Sequence, residues 1–406
     1  MVVEKGYKQT EIGVMPEDWN QTTLWDTSEI YTGTTPPTNN RGNYGDEFLF
    51  VSPADLGKTK YIIDTEKKLS KIGFKIARKF PAGSILYTCI GSTIGKAAIA
   101  KFELTSNQQI NAISPNKKVW SEYLYYFLLL NTPRIKLGAS EQAVPMINKS
   151  DFGKTIIILP PLPEQTAIAN ALSDMDALIA QTEKLIEKKK AIKQGVMQEL
   201  LKPKEGWVTK KLGDYGKTYG GITGKTKSDF GKGYGKYIPF MNILSNPIID
   251  IGFLDKVDIK SGEVQNRAVK GDLFFNGSSE TPEEVGLCSV LNDELDNLYL
   301  NSFCFGYRMN NQNNLNGLFL SYLFRSPLGR NLIFSLAQGA TRYNLSKTNL
   351  LKLDLPIPSK KEQDIIAMTL LDLDRSITAT QTKVHKLKHQ KQGMMQALLT
   401  GKIRLI

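Results

Sequence analysis

Three groups of residues have the types and spacing from which chemistry is made. Gly220-Gly221-Ile222-Thr223-Gly224-Lys225-Thr226 ends like a phosphate-binding loop. Such a loop needs a glycine five positions before Gly224, so that successive backbone N–H groups can turn around a phosphate, and Tyr219 stands there. Gly91-Ser92-Thr93-Ile94-Gly95-Lys96 fails in the same way. His385 and His389, the two histidines of the chain, sit four apart, a spacing that holds zinc on a helix when a third ligand and a base are near. The glutamate that a metalloprotease places after the first histidine is Lys386 here, and with no other histidine a Ser-His or Cys-His nucleophile has no base. Cys89, Cys288 and Cys304 are odd in number, widely spaced and set in apolar sequence, which points to buried thiols and neither disulfides nor a zinc site. Amino-group methylation of DNA calls for an Asn/Asp-Pro-Pro-Tyr/Phe element, and the chain offers only Asn246-Pro247-Ile248-Ile249. The reading is a chain that is not an enzyme, with no metal and no cofactor of its own.

The elements around these residues show a plainer pattern. Glu164–Leu201 realigns on Glu362–Leu399 without a gap, with about half of the positions identical. In both copies apolar positions follow alternating steps of four and three. The first copy carries Ile168, Leu172, Met175, Ile179, Ile186, Val196 and Leu200; the second carries Ile366, Leu370, Leu373, Ile377, Val384, Leu387, Met394 and Leu398. Thr182 and Thr380 share one seam position, and Lys189 stands where the second copy has Leu387. A stripe repeating every 3.5 residues is a coiled-coil seam, and another helix with the same stripe is its natural cover, so the two copies are expected to pack on each other. A helix of this length would be roughly 57 Å long. The two histidines align with Glu187 and Ala191, which places them on a solvated helix face.

The segments before each helix also repeat, more loosely. Trp19, Leu24 and Gly33 align with Trp207, Leu212 and Gly221, and Pro81–Leu86 aligns with Val269–Phe274. Each segment reads as short strands between Gly, Asn and Pro turns, with Ile85-Leu86-Tyr87 and Leu273-Phe274-Phe275 as buried strands. A helix follows late in each, over Glu122–Asn131 and Leu318–Phe324, so the class is α+β. Asn107-Gln108-Gln109 reads as a structural strand. Apolar runs into proline, ending at Pro163 and Pro358, lead directly into helices beginning near Glu164 and Lys361. The order is domain 1–160, helix 161–202, domain 203–357, then helix and tail 358–406.

The chain has 406 residues and a formal net charge of +12. The repeated helices are close to neutral, with five lysines against six acids in the first and five basic against four acidic residues in the second, so the basic excess belongs to the domains. The most apolar stretches, Tyr123–Leu130 and Thr155–Leu162, fall far short of the ~18 residues that cross a bilayer, and the first ten residues lack a signal-peptide core. No membrane role and a cytoplasmic location are expected.

Pro161-Leu162-Pro163-Glu164-Gln165 and Lys361-Glu362-Gln363 open the long helices, and Gln194-Gly195-Val196-Met197-Gln198 and Gln392-Gly393-Met394-Met395-Gln396 lie near their ends. With the opening Gly6–Val14, Pro16-Glu17-Asp18-Trp19 and the ending Leu398–Leu405, the whole chain resembles the DNA-specificity subunit of type I restriction and modification systems. It departs in one place: lysines stand beside the second Glu-Gln where prolines are usual. The resemblance implies two tandem α/β target-recognition domains separated by two long conserved helices packed as an antiparallel coiled coil, with an internal pseudo-twofold repeat. It further implies a non-catalytic reader in which each domain binds one half of a split double-stranded DNA site. The helices would set the spacing and recruit two methyltransferase subunits, joined by restriction and motor subunits. S-adenosylmethionine, ATP and Mg would belong to those partners. A coiled-coil scaffold whose basic domains are not specific for DNA is the alternative.

Phosphates are met by Lys and Arg on exposed loops, and base edges by Arg, Lys, Asn or Gln. Loops combining them nominate Thr34, Arg41, Lys58, Gln142 and Lys149 in the first domain and Lys225, Lys227, Arg342, Asn344 and Lys347 in the second. Ile147-Asn148-Lys149 and Leu345-Ser346-Lys347 occupy corresponding loops. Two readers on one side of a duplex should lie about one helical turn apart, roughly 34 Å or a multiple.

Overall fold

The computed structural model describes residues 5–11, 13–140, 143–311, 314–339 and 342–405. Two compact units result: Met1–Glu183 with Thr382–Ile406, and Lys184–Gln381. These are not the four consecutive segments read from sequence. Each unit joins one domain to the first part of one long helix and the last part of the other. We label four helices: α1 (Ser121–Leu137), α2 (Leu162–Leu200), α3 (Gly317–Arg325) and α4 (Lys360–Leu398).

In the first unit a five-stranded sheet runs in the order 28–32, 110–115, 85–88, 97–100, 61–62, antiparallel except at the last pair. In the second, a four-stranded antiparallel sheet has the order 216–220, 304–309, 273–276, 288–290. The central strands Ile85–Thr88 and Leu273–Asn276 are buried along their whole length. A second sheet in each unit contains a parallel pair, 48–51 beside 104–106 and 230–238 beside 298–300. The topology is one plan used twice, and it is α+β. Asn107-Gln108-Gln109 is no strand: it forms the turn between Leu104–Ser106 and Ile110–Pro115. Successive strands there belong to different sheets, so the chain must turn to pass from one to the other.

Each domain closes on itself beside its long helix. Asn20–Thr23 pairs antiparallel with Ile156–Leu159, and Val208–Lys211 with Asp354–Ile357, so the chain enters and leaves each domain at one place. The Glu-Gln pair that follows is buried in both copies, apart from a partly exposed Glu362. Gln165 accepts from the Trp120 N–H at 2.8 Å and donates to the carbonyls of Lys118 and Pro160. Gln363 does the same with the Asn316 N–H, at 2.8 Å, and the carbonyls of Asn314 and Pro358. One amide thereby satisfies the backbone at the start of α1 or α3 and ties it to the start of α2 or α4. The preceding Glu accepts from tryptophan: Trp19 Nε1 to Glu164 Oε2 at 2.9 Å, Trp207 Nε1 to Glu362 Oε1 at 3.3 Å.

The helix segments run antiparallel within each unit. In the first, Asp176 pairs with Lys391 and Glu183 with Lys388. In the second, Lys193 pairs with Asp374, and Lys189 donates to Ser376 Oγ at 2.7 Å, to its carbonyl at 3.2 Å and to Thr380 Oγ1 at 2.8 Å. Every seam residue named above is buried or half-buried. Leu201 and Leu399, one position beyond the repeating seam, are buried more deeply than Leu200 or Leu398 and join the domain cores. Each such side chain contributes about 1.5–3 kcal/mol on full burial. Lys189 occupies the seam position that Leu387 holds in the other copy of the repeat and faces Ser376 and Thr380, and a polar group at a seam position specifies register at a cost in stability.

A three-residue latch joins domain to helices in both units. The Tyr126 hydroxyl donates to Asp176 at 2.6 Å, Lys391 pairs with the other oxygen of Asp176 at 2.6 Å, and its ammonium lies 5.3 Å from the Tyr126 ring centroid. Tyr322, Asp374 and Lys193 repeat it at 2.7, 2.6 and 5.4 Å.

Candidate nucleic-acid interface

The surface begins with glycines that nothing else can replace. A Cβ on Gly33 would lie 2.2 Å from the Asn107 carbonyl oxygen, and one on Gly221 2.1 Å from that of Asn301. These glycines therefore bring the loop after the first sheet strand directly against the turns 107–109 and 301–303. The stretch that resembled a phosphate loop is this packing loop. Its Lys225 is committed to Glu263 at 2.5 Å, with the lysine side chain 6% exposed. Lys225 first, then Gln265, holds the Glu263 carboxyl down to about 2.

In the second unit the loop and the turn flank a groove of about 640 Å³. Lys225, Asn344 and Lys347 of the sequence-derived set line it, together with Ser278, Ser302 and Phe303. Asn344 is placed by pairing with Ser278 across a two-residue ladder, and Lys347 opens a short helix, Lys347–Leu351. Lys227 and Arg342 are exposed but do not line this groove.

The first unit assembles differently. A groove of about 610 Å³ lies beside its equivalent turn, lined by Thr35, Ser52, Lys67, Lys68, Asn107 and Gln108, and by none of the residues chosen from sequence. Thr34 accepts the Arg78 N–H at 2.8 Å, which makes it a structural acceptor. Arg41 is exposed on the turn Arg41–Asn43. Lys58 pairs with Glu66 at 3.3 Å and lines a separate recess with Lys60, Lys96 and Lys136. The Lys149 ammonium lies 5.7 Å from the Trp25 ring centroid. Gln142 lies outside the described residues. At the place of the Ser278·Asn344 pair this unit has Ile90 and Met146, so one ladder position is polar in one unit and apolar in the other. Sequence reasoning passed over Gln108, Ser302 and Phe303. The signal for them was the repeated Asn at 107 and 301, each followed by side chains that do not repeat.

The remaining chemistry is quiet. Burial pushes the thiols of Cys89 and Cys304 up to about 12, and Cys288 further. His385 and His389 are exposed with their Nε2 atoms 3.2 Å apart, and among the described residues no group of three or more His, Cys, Asp and Glu is placed to hold a metal. No described helix is long and apolar enough to cross a membrane.

Known proteins resemble this arrangement along its length. The putative type I restriction enzyme MjaX specificity subunit of Methanocaldococcus jannaschii is 28% identical, over 99% of this chain and 97% of its own. The MjaVIII specificity subunit of the same organism is 25% identical over the same shares. The fold matches the solved type I restriction-modification S subunit from M. genitalium with a TM-score of 0.56 at 14% identity, covering 98% of each chain. It matches the HsdS subunit from Thermoanaerobacter tengcongensis with a TM-score of 0.50 at 16% identity, covering 96% of this chain and 98% of that one. The family model described as the type I restriction modification DNA specificity domain matches twice, over residues 16–193 and 204–389, and the chain belongs to that family.

Proposed function

We propose that this chain is the sequence-reading subunit of a type I restriction-modification complex. Each domain reads one half of a bipartite double-stranded DNA target, and the helices set the spacing between the halves and recruit two methyltransferase subunits, with restriction and motor subunits joining them. The chain itself is not an enzyme, and S-adenosylmethionine, ATP and Mg serve the partner subunits in the cytoplasm. The observation that carries this reading is the duplicated scaffold whose equivalent turn and ladder positions carry different side chains, within a chain matched twice by a DNA specificity domain. A shared frame with different side chains is what two readers of unlike half-sites require.

The test is sequencing of methylated sites produced by the chain with its methyltransferase partner, paired with salt-dependent binding. Asn344→Ala should relax one half-site by about 1–3 kcal/mol and leave the other half intact. Lys227→Ala should lower affinity evenly across sequences and reduce the salt slope by about one. An undivided target, or equal loss at both halves after changing Asn344 alone, would overturn the two-reader model.

A further inference from the structure

The two units hold one turn in the same way and mount different side chains on it. Asn107 donates its backbone N–H to the carbonyl of Val51 at 3.0 Å, and Asn301 donates to Ile238 at 3.2 Å. The side-chain oxygen of each asparagine accepts from the residue two positions on, Gln109 N–H at 3.1 Å and Phe303 N–H at 2.8 Å. Each asparagine carbonyl accepts from the residue three on, Ile110 at 3.3 Å and Cys304 at 3.1 Å. The turn's last carbonyl is held from below by the Cys89 N–H at 2.9 Å in one unit and the Gly277 N–H at 3.1 Å in the other. With Gly33 and Gly221 pressed against the asparagine carbonyls, the backbone is fixed on every side. What varies is the display: Gln108 and Gln109 in the first unit, Ser302 and Phe303 in the second.

Phe303 is 64% exposed at the edge of a groove whose polar lining includes Ser278, Ser302, Asn344 and Lys347. An aromatic ring left in water on a rigid turn, beside a lysine suited to phosphate and an amide suited to a base edge, has little packing role within its own domain. Apolar side chains in the DNA major groove meet the thymine 5-methyl, whereas glutamine meets adenine with its amide. Resting on the DNA-reading function proposed above, we propose that the turns 107–109 and 301–303 are the paired specificity-determining turns of this chain, with Phe303 contacting a thymine methyl in the half-site of the second domain. In the first domain Gln109 stands at the position of Phe303 but is half-buried and accepts from the Asn107 side-chain amide, so the exposed Gln108, at the position of Ser302, takes the reading role. Its side-chain oxygen accepts from the Thr35 hydroxyl, which leaves its amide N–H₂ group to donate.

The experiment uses the full chain purified with its methyltransferase partner, selecting from a library of randomised duplexes and then titrating individual sites. Phe303→Ala should melt as wild type does, because the ring is mostly exposed, and should lose preference at one thymine of one half-site. Replacing that thymine by uracil removes only the methyl. Wild type should then bind about fourfold more weakly, as expected for one buried methyl-sized group, while Phe303→Ala should be indifferent. An interrupted motif in which uracil costs wild type nothing, or costs variant and wild type alike, overturns the assignment of the turn and leaves the DNA reader standing. An unchanged motif with weakened partner binding would make Phe303 a protein contact and also overturn it. Failure of wild type to enrich any sequence removes the underlying reading as well.

Discussion

Cutting the latch between α1 and the helix pair should cost about 2–4 kcal/mol. Asp176 accepts a 2.6 Å hydrogen bond from Tyr126 and a 2.6 Å ion pair from Lys391, with side-chain exposures of 31% for Asp176 and 20% for Lys391. A hydrogen bond to a charged group contributes about 1.5–3 kcal/mol net. The ion pair adds only about 0.5–1 kcal/mol, because both groups still touch solvent and are screened. Burial first, and then Asp176, raises the Tyr126 phenol well above its ordinary value, so the hydroxyl remains a donor throughout the physiological range. Asp176→Ala removes both interactions; Tyr126→Phe removes one. A double-mutant cycle between them should give a coupling of about 1–2 kcal/mol by urea unfolding. Hydrogen exchange should rise in α1 of the first unit and stay unchanged in α3 of the second, whose own latch on Asp374 is intact. Coupling below about 0.3 kcal/mol, or equal loosening of α1 and α3, would refute the latch as the element that ties each domain to its helices.

Gln363→Glu keeps the shape of the side chain but turns its donors into a carboxylate oxygen facing the carbonyls of Asn314 and Pro358, at a site 1% exposed. It should cost about 3 kcal/mol or more, and an unshifted melting temperature would show that the amide does not cap α3. In the first unit, Arg404 donates to both Asp18 and Glu164, and the Arg404 hydrogen bond, the largest cause, holds the Asp18 carboxyl below its ordinary 3.8. A depressed carboxyl stabilises fully above the unfolded value and loses that contribution as pH falls through the folded one, so the tail should loosen below about pH 4. Fluorescence of Trp19, over which the Arg404 guanidinium lies at 5.7 Å, reports it. An acid transition of that fluorescence that is identical in Arg404→Gln would remove Asp18–Arg404 as its cause.

The sequence by itself determined the duplicated organisation, because periodicity and repetition are properties of a chain before it folds. The 3.5-residue stripe marked the seam, down to Lys189 standing where the second copy has Leu387. Proline-closed runs marked where each domain hands over to its helix, since proline restricts the backbone wherever it stands. Burial of Ile85-Leu86-Tyr87 and Leu273-Phe274-Phe275 was equally legible in unbroken apolar runs. Tertiary structure alone decided which surface side chains share a groove. Lys225 looked like a free cation until Glu263, 38 residues away, was brought to it. Thr34 looked like a reader until it was found accepting from the Arg78 backbone. Asn107-Gln108-Gln109 looked like a strand because its flanks are strands, and it became a turn because those flanks belong to different sheets. Charge and polarity are local to a residue, but availability depends on partners that only the fold supplies, which is why the helices could be read residue by residue and the reading surface could not.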